Sequence, residues 1–324
     1  MARTKVPTIK QPMLPTLVDN PFDDEGWLFE VKWDGIRAIG TIRESGAHEL
    51  ISRNQLPLNA KFPELEHLAD DFRSAPLVID GEIVSLDERG HSSFQRLQRR
   101  FKVGSGSGEH GGRIVYAVFD LLYDGKRDLR GVPLEERKAA LVKLIKPRAS
   151  RVMFSKHVVG EGKRLFAEAQ RQRLEGIVGK KRDSTYQERR SRDWVKIKTH
   201  LEQEFVIGGW TDPQGSRKEF GSLLLGVYEK GKLAFCGAVG TGFDSTSLRA
   251  VKKKLMPLAT KRCPFDPPPP ATIVRTTHWV RPSLVAEVKF AEWTADGLLR
   301  QPVFLGLRTD KDAKDVVHER PIER

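Results

Sequence analysis

The sequence predicts an α+β protein of two domains, the second of which is a small closed β-barrel. Three observations carry this prediction. The chain has 324 residues, which is enough for two hydrophobic cores. Residues 28–198 mix strand-like and helix-like apolar patterns, whereas short strands punctuated by glycine follow Thr199. We therefore place one domain at residues 1–199 and the other at residues 200–324.

The first domain is predicted to be irregular at its start and regular afterwards. Four prolines interrupt residues 1–27, which we expect to wrap over the domain. β-branched and aromatic residues predict strands at 28–33, 78–84 and 114–123, and helical spacing predicts helices at 134–145 and 163–173. The glycines of residues 104–108 do not lie between a strand and a helix, so they predict a flexible loop and not a phosphate-binding loop.

The second domain is predicted to consist mainly of short strands. The strands are expected at residues 205–210, 222–228, 233–239, 285–290 and 302–304, and one helix at residues 245–256. Five short strands with one interposed helix, in about 120 residues, resemble a closed barrel of the oligonucleotide-binding (OB) kind.

The chain is basic. Its formal net charge is +13, from 56 Lys and Arg against 43 Asp and Glu. This excess favours a polyanionic partner, either nucleic acid or an anionic membrane surface. No apolar run approaches the ~20 residues that span a bilayer, so we expect no membrane insertion. Cys236 and Cys263 are too few for a four-ligand zinc site, and a reducing cytoplasm is the expected compartment.

Residues 28–37 place a lysine and two acids within and directly after an apolar run. Alternate side chains of a strand share a face, and the apolar face is expected to join a core: Phe29, Val31 and Trp33. The other face would carry Glu30 and Lys32 into a cleft, and a turn at Asp34–Gly35 would bring Arg37 back. A lysine close to other cations can have a lowered ammonium pKa and act as a nucleophile. Taken alone, this short pattern favours an ordinary strand with a solvated lysine.

Three more segments place isolated charges on apolar strands. The residues concerned are Asp80 and Glu82, Glu175 and Lys180, and Lys196 and Lys198. Each segment alone fits a strand whose polar side faces water, but that interpretation is poor for all of them together. Carboxylates bind hard divalent cations, and lysines and arginines neutralise phosphate oxygens. The set therefore predicts a site for a metal ion and a polyphosphate.

In this order and spacing, the motifs resemble those of the covalent nucleotidyltransferases, which are DNA ligases, RNA ligases and messenger-RNA capping enzymes. Residues 32–37 match the signature K-x-D-G-x-R. Further matches follow at residues 80–82, 119–120, 175–178 and 196–198. Residues 292–294 and 302–311 look like the ligase module of bacterial end-joining ATP-dependent ligases.

The resemblance implies both a fold and an activity. The fold would be an adenylation (nucleotidyltransferase) domain of ATP-grasp-like antiparallel sheets with helices, followed by an OB-fold domain. The activity would be that of an ATP-dependent DNA ligase, which seals 5′-phosphate/3′-hydroxyl breaks in duplex DNA. It would proceed through a lysyl-AMP and then a DNA-adenylate intermediate, in DNA repair or end joining.

By the same resemblance, Lys32 is the nucleophile that attacks the α-phosphate of ATP. Lys196 and Lys198 would lower its pKa and stabilise charge on the phosphoryl group. Glu82 and Glu175 would hold the catalytic metal, with Glu82 also near the ribose. Magnesium is the expected ion, with manganese as a substitute, because phosphoryl transfer needs a cation that bridges phosphate oxygens.

The remaining implied residues bind the nucleotide or the DNA. Glu30 and Lys180 would lie at the nucleotide, and Phe119 would stack on the purine. Arg37 and Arg53 would bind phosphate and the 5′ end of the DNA. Arg308 and Lys311 would orient the pyrophosphate leaving group, or contact the DNA backbone.

Several alternatives remain open at this stage. The signature alone does not exclude RNA capping or RNA ligation. An NAD-dependent ligase usually carries a four-cysteine zinc module, which two cysteines cannot supply. A non-catalytic nucleic-acid clamp would not need this set of acids and lysines. We expect a monomer that acts on nicked or broken duplex DNA in the bacterial cytoplasm, associated with the nucleoid, with end-joining proteins as a candidate class of partner.

Overall fold

The computed structural model describes residues 5–103, 112–213 and 218–322, with the backbone alone described at 99–103. The loop predicted at residues 104–108 lies outside the described residues. The chain divides into two compact units: the first runs to Thr199 and includes the segment after Arg320, and the second runs from His200 to Arg320. No helix among the described residues is long and apolar enough to cross a membrane.

Two sheets build the described part of the first unit. Sheet A has the strand order β1 (Leu14–Leu17), β10 (Arg190–Lys198), β9 (Gly176–Lys181), β2 (Asp24–Val31) and β8 (His157–Gly160). Sheet B has the strand order β4 (His48–Ser52), β3 (Ile36–Ile42), β5 (Leu77–Leu86), β6 (Arg113–Tyr123) and β7 (Val152–Phe154). The helices are α1 (Phe94–Val103), α2 (Leu134–Leu144) and α3 (Gly162–Arg171), and 3₁₀ turns lie at Asn59–Lys61, Pro63–Leu65 and Leu68–Asp71.

The two faces of sheet A have different neighbours. One face packs against α3, in a core that contains Phe29, Ile177 and Ala169. The other face shares a core with sheet B, which includes Trp194 of β10 and Phe119 of β6. Polar side chains on this second face therefore lie between the sheets.

The predicted strands and helices of the first unit are largely confirmed. β5 and β6 contain the strands predicted at 78–84 and 114–123, and α2 and α3 match the predicted helices within two residues. The prediction of an irregular start is wrong in part, because β1 pairs in parallel with β10.

The predicted strand around residue 30 differs in detail. β2 ends at Val31, so Lys32 directly follows the strand. Phe29 is buried as predicted. The prediction that Val31 and Trp33 join the same core is wrong: both are half-buried, and Trp33 packs on sheet B instead, against the cluster that contains Val84.

The second unit is a closed barrel. Its strands are β11 (Leu201–Thr211), β12 (Leu223–Glu229), β13 (Lys232–Val239), β14 (Ala259–Thr260), β15 (Thr277–Val280), β16 (Val285–Phe290), β17 (Glu292–Trp293), β18 (Leu299–Arg300) and β19 (Val303–Arg308). The order β13-β12-β11-β16-β19 forms the barrel wall, and a bridge between Thr241 and Val303 joins its two ends.

The barrel wall consists of the strands that the sequence predicts. Phe205, Leu225 and Val288 fill the interior and are fully buried. The helices are α4 (Ser245–Leu255) and α5 (Ala271–Val274), and 3₁₀ turns lie at Met256–Leu258 and Ala313–Asp315. β15, which pairs with β11 and β14, was not predicted, because it is a short segment that follows a run of prolines.

Candidate active site

Lys32 is held at the point where β2, β9 and β10 meet. Its backbone N–H donates to the Gly176 carbonyl at 2.9 Å, and its ammonium forms an ion pair with Glu175. Gly176 begins β9, and a Cβ at this position would lie 2.1 Å from the Ile197 carbonyl oxygen. The close packing of glycine against β10 therefore places Glu175 beside the lysine.

The electrostatic surroundings of Lys32 differ from those that the sequence predicts. Burial and the nearby Lys198 lower the pKa of the Lys32 ammonium, but Glu175 and Glu82 outweigh them, so that the pKa is raised. The predicted effect of Lys198 is therefore confirmed in direction, but the predicted net lowering of this pKa is wrong for the free protein, because two carboxylates face the same ammonium.

Lys196 and Lys198 share a face of β10. They pair with Val178 and Gly176 on β9, whereas Val195 and Ile197 pack into the core against α3. The predicted alternation along this strand is confirmed. Lys196 is buried, and Lys198 is half-buried.

The prediction that Glu30 projects into an open cleft is wrong. Glu30 is 2% exposed and lies in an ionic cluster. Lys138 and Lys180 each donate to its Oε1 at 2.9 Å, and the Ser155 hydroxyl donates to its Oε2 at 2.6 Å. Burial alone would raise the pKa of the Glu30 carboxyl. The two ammonium groups and the hydrogen bonds outweigh burial and lower this pKa to about 2.

Lys138 was missed by the sequence analysis, although the sequence contains a signal for it. In α2, the buried positions are Leu134, Arg137, Lys138 and Leu141, which are spaced as an apolar helical stripe. Two cations on such a stripe need buried partners. Arg137 forms a paired ion contact with Asp120, and Lys138 donates to Glu30, the Phe119 carbonyl and the Ser155 carbonyl.

Ser155 is fully buried and uses every polar group that it has. Its backbone N–H donates to the Val118 carbonyl at 2.8 Å, and its carbonyl accepts from Lys138. Its hydroxyl donates to Glu30 and accepts from the Trp33 indole N–H at 3.0 Å. Ser155 therefore connects the residue after Lys32 with the Glu30 cluster.

Phe119 lies beside two cations. The Lys180 ammonium is 4.1 Å from the centre of its ring, and the Arg37 guanidinium is 4.5 Å away. The ring is 6% exposed and meets Trp194 edge-on. Purine stacking on Phe119 needs an accessible ring face and stays a prediction. Burial lowers the pKa of Lys180 to about 8, although Glu30 opposes this effect.

The two arginines predicted to bind phosphate lie on sheet B or directly after one of its strands. Arg37 makes a bidentate contact with Asp80, with Nε–Oδ1 at 2.6 Å and Nη2–Oδ2 at 2.7 Å. The Tyr186 hydroxyl also donates to this carboxylate. Burial lowers the pKa of Arg37, but Asp80 outweighs it and the pKa is raised. Arg53 directly follows β4 and is half-buried.

The two predicted metal ligands, Glu82 and Glu175, both raise the pKa of the Lys32 ammonium. Among the described residues, no group of three or more His, Cys, Asp or Glu side chains is arranged to hold a metal ion. Two carboxylates nevertheless fit Mg²⁺, which is usually bound by one or two protein carboxylates together with substrate phosphates and water.

Arg308 and Lys311 lie in the second unit, and each is paired with acids. Arg308 contacts Asp310 and Glu287 at 2.8–2.9 Å, and Lys311 contacts Glu204 at 2.6 Å. Burial lowers the pKa of Arg308, but Asp310 and Glu287 outweigh this effect, so that the pKa is raised. Burial would raise the pKa of Glu204, yet Lys311 and Arg308 lower it to about 2.

The family comparison decides what this arrangement belongs to. Residues 12–198, more than half of the chain, match the family model of the ATP dependent DNA ligase domain. The chain belongs to this ligase family. Residues 216–311 also match the model of the ATP dependent DNA ligase C terminal region. The resemblance that the motifs indicated is confirmed.

The ligase relatives are longer than this chain. The multifunctional non-homologous end joining protein LigD of Pseudomonas aeruginosa is 42% identical over 323 residues, which cover 98% of this chain and 38% of that protein. LigD of Mycobacterium tuberculosis is 40% identical over 295 residues, which cover 90% of this chain and 37% of that protein. The chain thus spans less than two fifths of the length of these relatives.

Solved ligase structures agree with the two-unit architecture. Mycobacterial DNA ligase D complexed with ATP and MES has a TM-score of 0.69 and 38% identity, covering 95% of this chain and 98% of that one. The ligase domain of Mycobacterium tuberculosis LigD has a TM-score of 0.52 and 39% identity over the same shares. The predicted α+β fold, a nucleotidyltransferase domain followed by an OB-fold domain, is confirmed.

Proposed function

We propose that the chain is an ATP-dependent DNA ligase that seals 5′-phosphate/3′-hydroxyl breaks in duplex DNA. The observation that carries the proposal is the position of Lys32. It lies in the K-x-D-G-x-R segment of the family-matched region, in an ion pair with Glu175 and close to Glu82 and Lys198. A non-catalytic clamp would have no need of a half-buried lysine among these charges.

The first step is the formation of a lysyl-adenylate. The Lys32 nitrogen bonds to the α-phosphorus of ATP, and the bond to pyrophosphate breaks. Glu175 is hydrogen-bonded to the Lys32 ammonium, so it is positioned to accept the proton that the nitrogen must lose. Lys196 and Lys198 offset the negative charge that develops on the phosphoryl oxygens.

A divalent cation would complete the charge balance of this step. Mg²⁺, or Mn²⁺ in its place, would be held by Glu82 and Glu175 and would neutralise phosphate oxygens when bound. Glu30, Lys180 and Phe119 are proposed as contacts of the nucleotide.

The later steps transfer the adenylate to DNA. The 5′-phosphate displaces Lys32 from AMP, and the 3′-hydroxyl then attacks that phosphate and releases AMP. We propose that Arg37 and Arg53 contact the DNA phosphate, which requires Arg37 to share its guanidinium with Asp80. Arg308 and Lys311 are proposed to orient pyrophosphate or to contact the DNA backbone.

The biological setting is proposed from the relatives and the charge. The similar LigD proteins are named for non-homologous end joining. A net charge of +13 suits a polyanionic substrate. We therefore propose a monomeric ligase that acts on nicked or broken duplex DNA during repair or end joining.

A labelling experiment tests the first step. The protein is incubated with Mg²⁺ and radiolabelled ATP, GTP or NAD, and then run on a denaturing gel. We expect label from ATP alone, none in Lys32→Ala, and normal labelling in the control Lys163→Ala, which changes an exposed lysine of α3. Label in Lys32→Ala would refute the nucleophile assignment. Label from GTP or NAD instead would indicate a capping enzyme or an NAD-dependent ligase, and no label at all would indicate a clamp.

A nicked duplex with a 5′-phosphate tests the overall reaction. We expect sealing with ATP and Mg²⁺, and no sealing when the 5′-phosphate is absent. A protein that forms the lysyl-adenylate but seals only nicked RNA would overturn the assignment of DNA as the substrate.

A further inference from the structure

A basic surface lies on the second unit, apart from the paired cations Arg308 and Lys311. The segment from Ser245 to Phe265 contains six Lys and Arg residues and no Asp or Glu. It comprises α4, the following 3₁₀ turn and β14. We call its cations, together with Arg281, the α4 basic surface: Arg249, Lys252, Lys253, Lys254, Lys261, Arg262 and Arg281.

These cations are brought together by the fold. β14 pairs with β15, which ends next to Arg281. The Arg281 guanidinium donates to the Pro257 carbonyl at 3.0 Å, and its backbone N–H donates to the Leu258 carbonyl. Arg281 is therefore fixed against the turn that directly follows α4.

The α4 basic surface faces solvent. Ser247, Val251 and Leu255 form the buried side of α4, and Arg249 and Lys253 lie one turn apart on the opposite, exposed side. Lys252 is half-buried, with its ammonium 3.9 Å from the centre of the Trp210 ring. Within the described parts of the chain, none of the seven cations forms an ion pair with an acid.

Helix stability does not account for this arrangement. Cations in the last turn of a helix interact favourably with its dipole. This effect can explain Lys252, Lys253 and Lys254, which lie in the last turn of α4. Arg249 lies in the middle of α4, and it repels Lys253 at i+4. Lys261 and Arg262 lie outside the helix altogether. A surface of seven cations that form no ion pair with any described acid has the chemistry that recognises a regular polyanion.

We propose that the α4 basic surface binds the phosphate backbone of the duplex DNA substrate. The inference rests on the proposed ligase function and adds a DNA contact on the second unit. Its contacts are with phosphates, so they set affinity and salt dependence and do not select a base sequence.

The test compares two variants with equal loss of charge. The first is Arg249→Gln/Lys253→Gln/Lys254→Gln, which neutralises three exposed residues of α4. The matched control is Lys163→Gln/Arg164→Gln/Arg171→Gln, which neutralises three exposed cations of α3 that are each paired with an acid. Kd for a nicked, 5′-phosphorylated duplex is measured without ATP between about 50 and 200 mM salt.

We expect the α4 variant to show a log Kd–log salt slope that is smaller than that of the wild type by about 3, because each phosphate contact contributes about 0.9. Its Kd should rise about tenfold or more at about 150 mM salt, whereas the α3 control should bind like the wild type. Lysyl-adenylate formation from ATP should be unchanged in both, because no substituted residue is among the proposed contacts of ATP or of the metal ion.

Other outcomes overturn the inference in distinguishable ways. Equal effects of the α3 and α4 variants would mean that net charge alone matters. Unchanged DNA binding, with lost binding to phosphatidylglycerol vesicles, would assign the surface to lipid. If the wild type itself formed no lysyl-adenylate, the proposed ligase function would fail, whatever the DNA measurements gave.

Discussion

The Lys32 ammonium is surrounded by charges of both signs. Glu175 and Glu82 raise its pKa, and burial and Lys198 lower it. In the free protein the acids prevail, so the lysine is protonated and cannot attack a phosphate. When the acids are neutralised, the pKa of Lys32 falls. The reactivity of the nucleophile is therefore linked to the ligands that occupy the site.

A substitution of Glu175 tests this balance at the residue scale. In Glu175→Gln, we expect the pKa of Lys32 to fall relative to the wild type, because the acid that contributes most is lost while burial and Lys198 remain. The pKa can be followed by NMR after ¹³C-methylation of the lysines, with the Lys32 signal assigned from Lys32→Ala. Glu161→Gln, which changes an exposed acid, should leave the pKa unchanged. An unshifted Lys32 signal in Glu175→Gln would contradict this account.

The Glu30 cluster makes a second prediction at this scale. Glu30→Gln leaves Lys138 and Lys180 buried without their counter-charge, so we expect unfolding to become easier by about 3–5 kcal/mol at neutral pH. The control Glu135→Gln, at a largely exposed acid, should cost far less. Urea denaturation measures both, and equal stability of Glu30→Gln and the wild type would refute the prediction.

The pH dependence of this difference has a defined sign. The pKa of Glu30 is about 2 in the folded protein, against an ordinary value of 4.5. Its stabilising effect is therefore complete above about pH 4.5 and is lost as the pH falls towards 2. The gap in stability between the wild type and Glu30→Gln should narrow over this range.

At the scale of elements, the K-x-D-G-x-R segment does more than carry a lysine. Asp34 Oδ2 accepts the backbone N–H of Phe94, the first residue of α1, at 2.8 Å. The Asp34 N–H donates to the Ser92 hydroxyl at 3.0 Å. A Cβ on Gly35 would lie 2.2 Å from the Ile83 carbonyl oxygen. The acid and the glycine thus attach α1 and β5 to the turn that follows Lys32.

The Asp34 carboxylate caps the start of α1, so its removal should weaken the first turn of this helix. We expect Asp34→Ala to destabilise the protein by about 0.5–2 kcal/mol and to speed hydrogen exchange of the first amides of α1. The Asp244 carboxylate caps α4 in the same way and accepts the Ser247 N–H at 2.6 Å. Asp244→Ala should therefore speed exchange in α4 alone. Unchanged exchange in α1 of Asp34→Ala would show that the cap does not hold this helix.

The sequence predicts elements well where local pattern decides them. β5, β6 and α2 follow from alternation or helical spacing within single segments. It does not predict the pairing of β1 with β10, because that pairing joins distant segments. The raised pKa of Lys32 was not predicted, for the same reason. Glu82 and Glu175 come close to Lys32 only in the tertiary structure, and the order of the motifs along the chain gives no distances.

At the scale of the whole molecule, each unit has its own core. Phe205 is fully buried in the second unit, and Leu121 is fully buried in the first. We expect Phe205→Ala to cost about 3–5 kcal/mol and to speed hydrogen exchange in β11–β13, without an effect on β5 and β6. Leu121→Ala should show the reverse pattern. Faster exchange in both units of both variants would mean that they unfold as one.

Ser155 has a consequence for protein engineering. Its hydroxyl joins the indole of Trp33 to Glu30, although it lies 122 residues after that tryptophan in the chain. A graft of the six motif residues onto another scaffold would therefore transfer the nucleophile without its anchor. A working transplant would also have to carry Ser155, from the link between β7 and β8, and Lys138, from α2. Neither residue belongs to the six-residue motif.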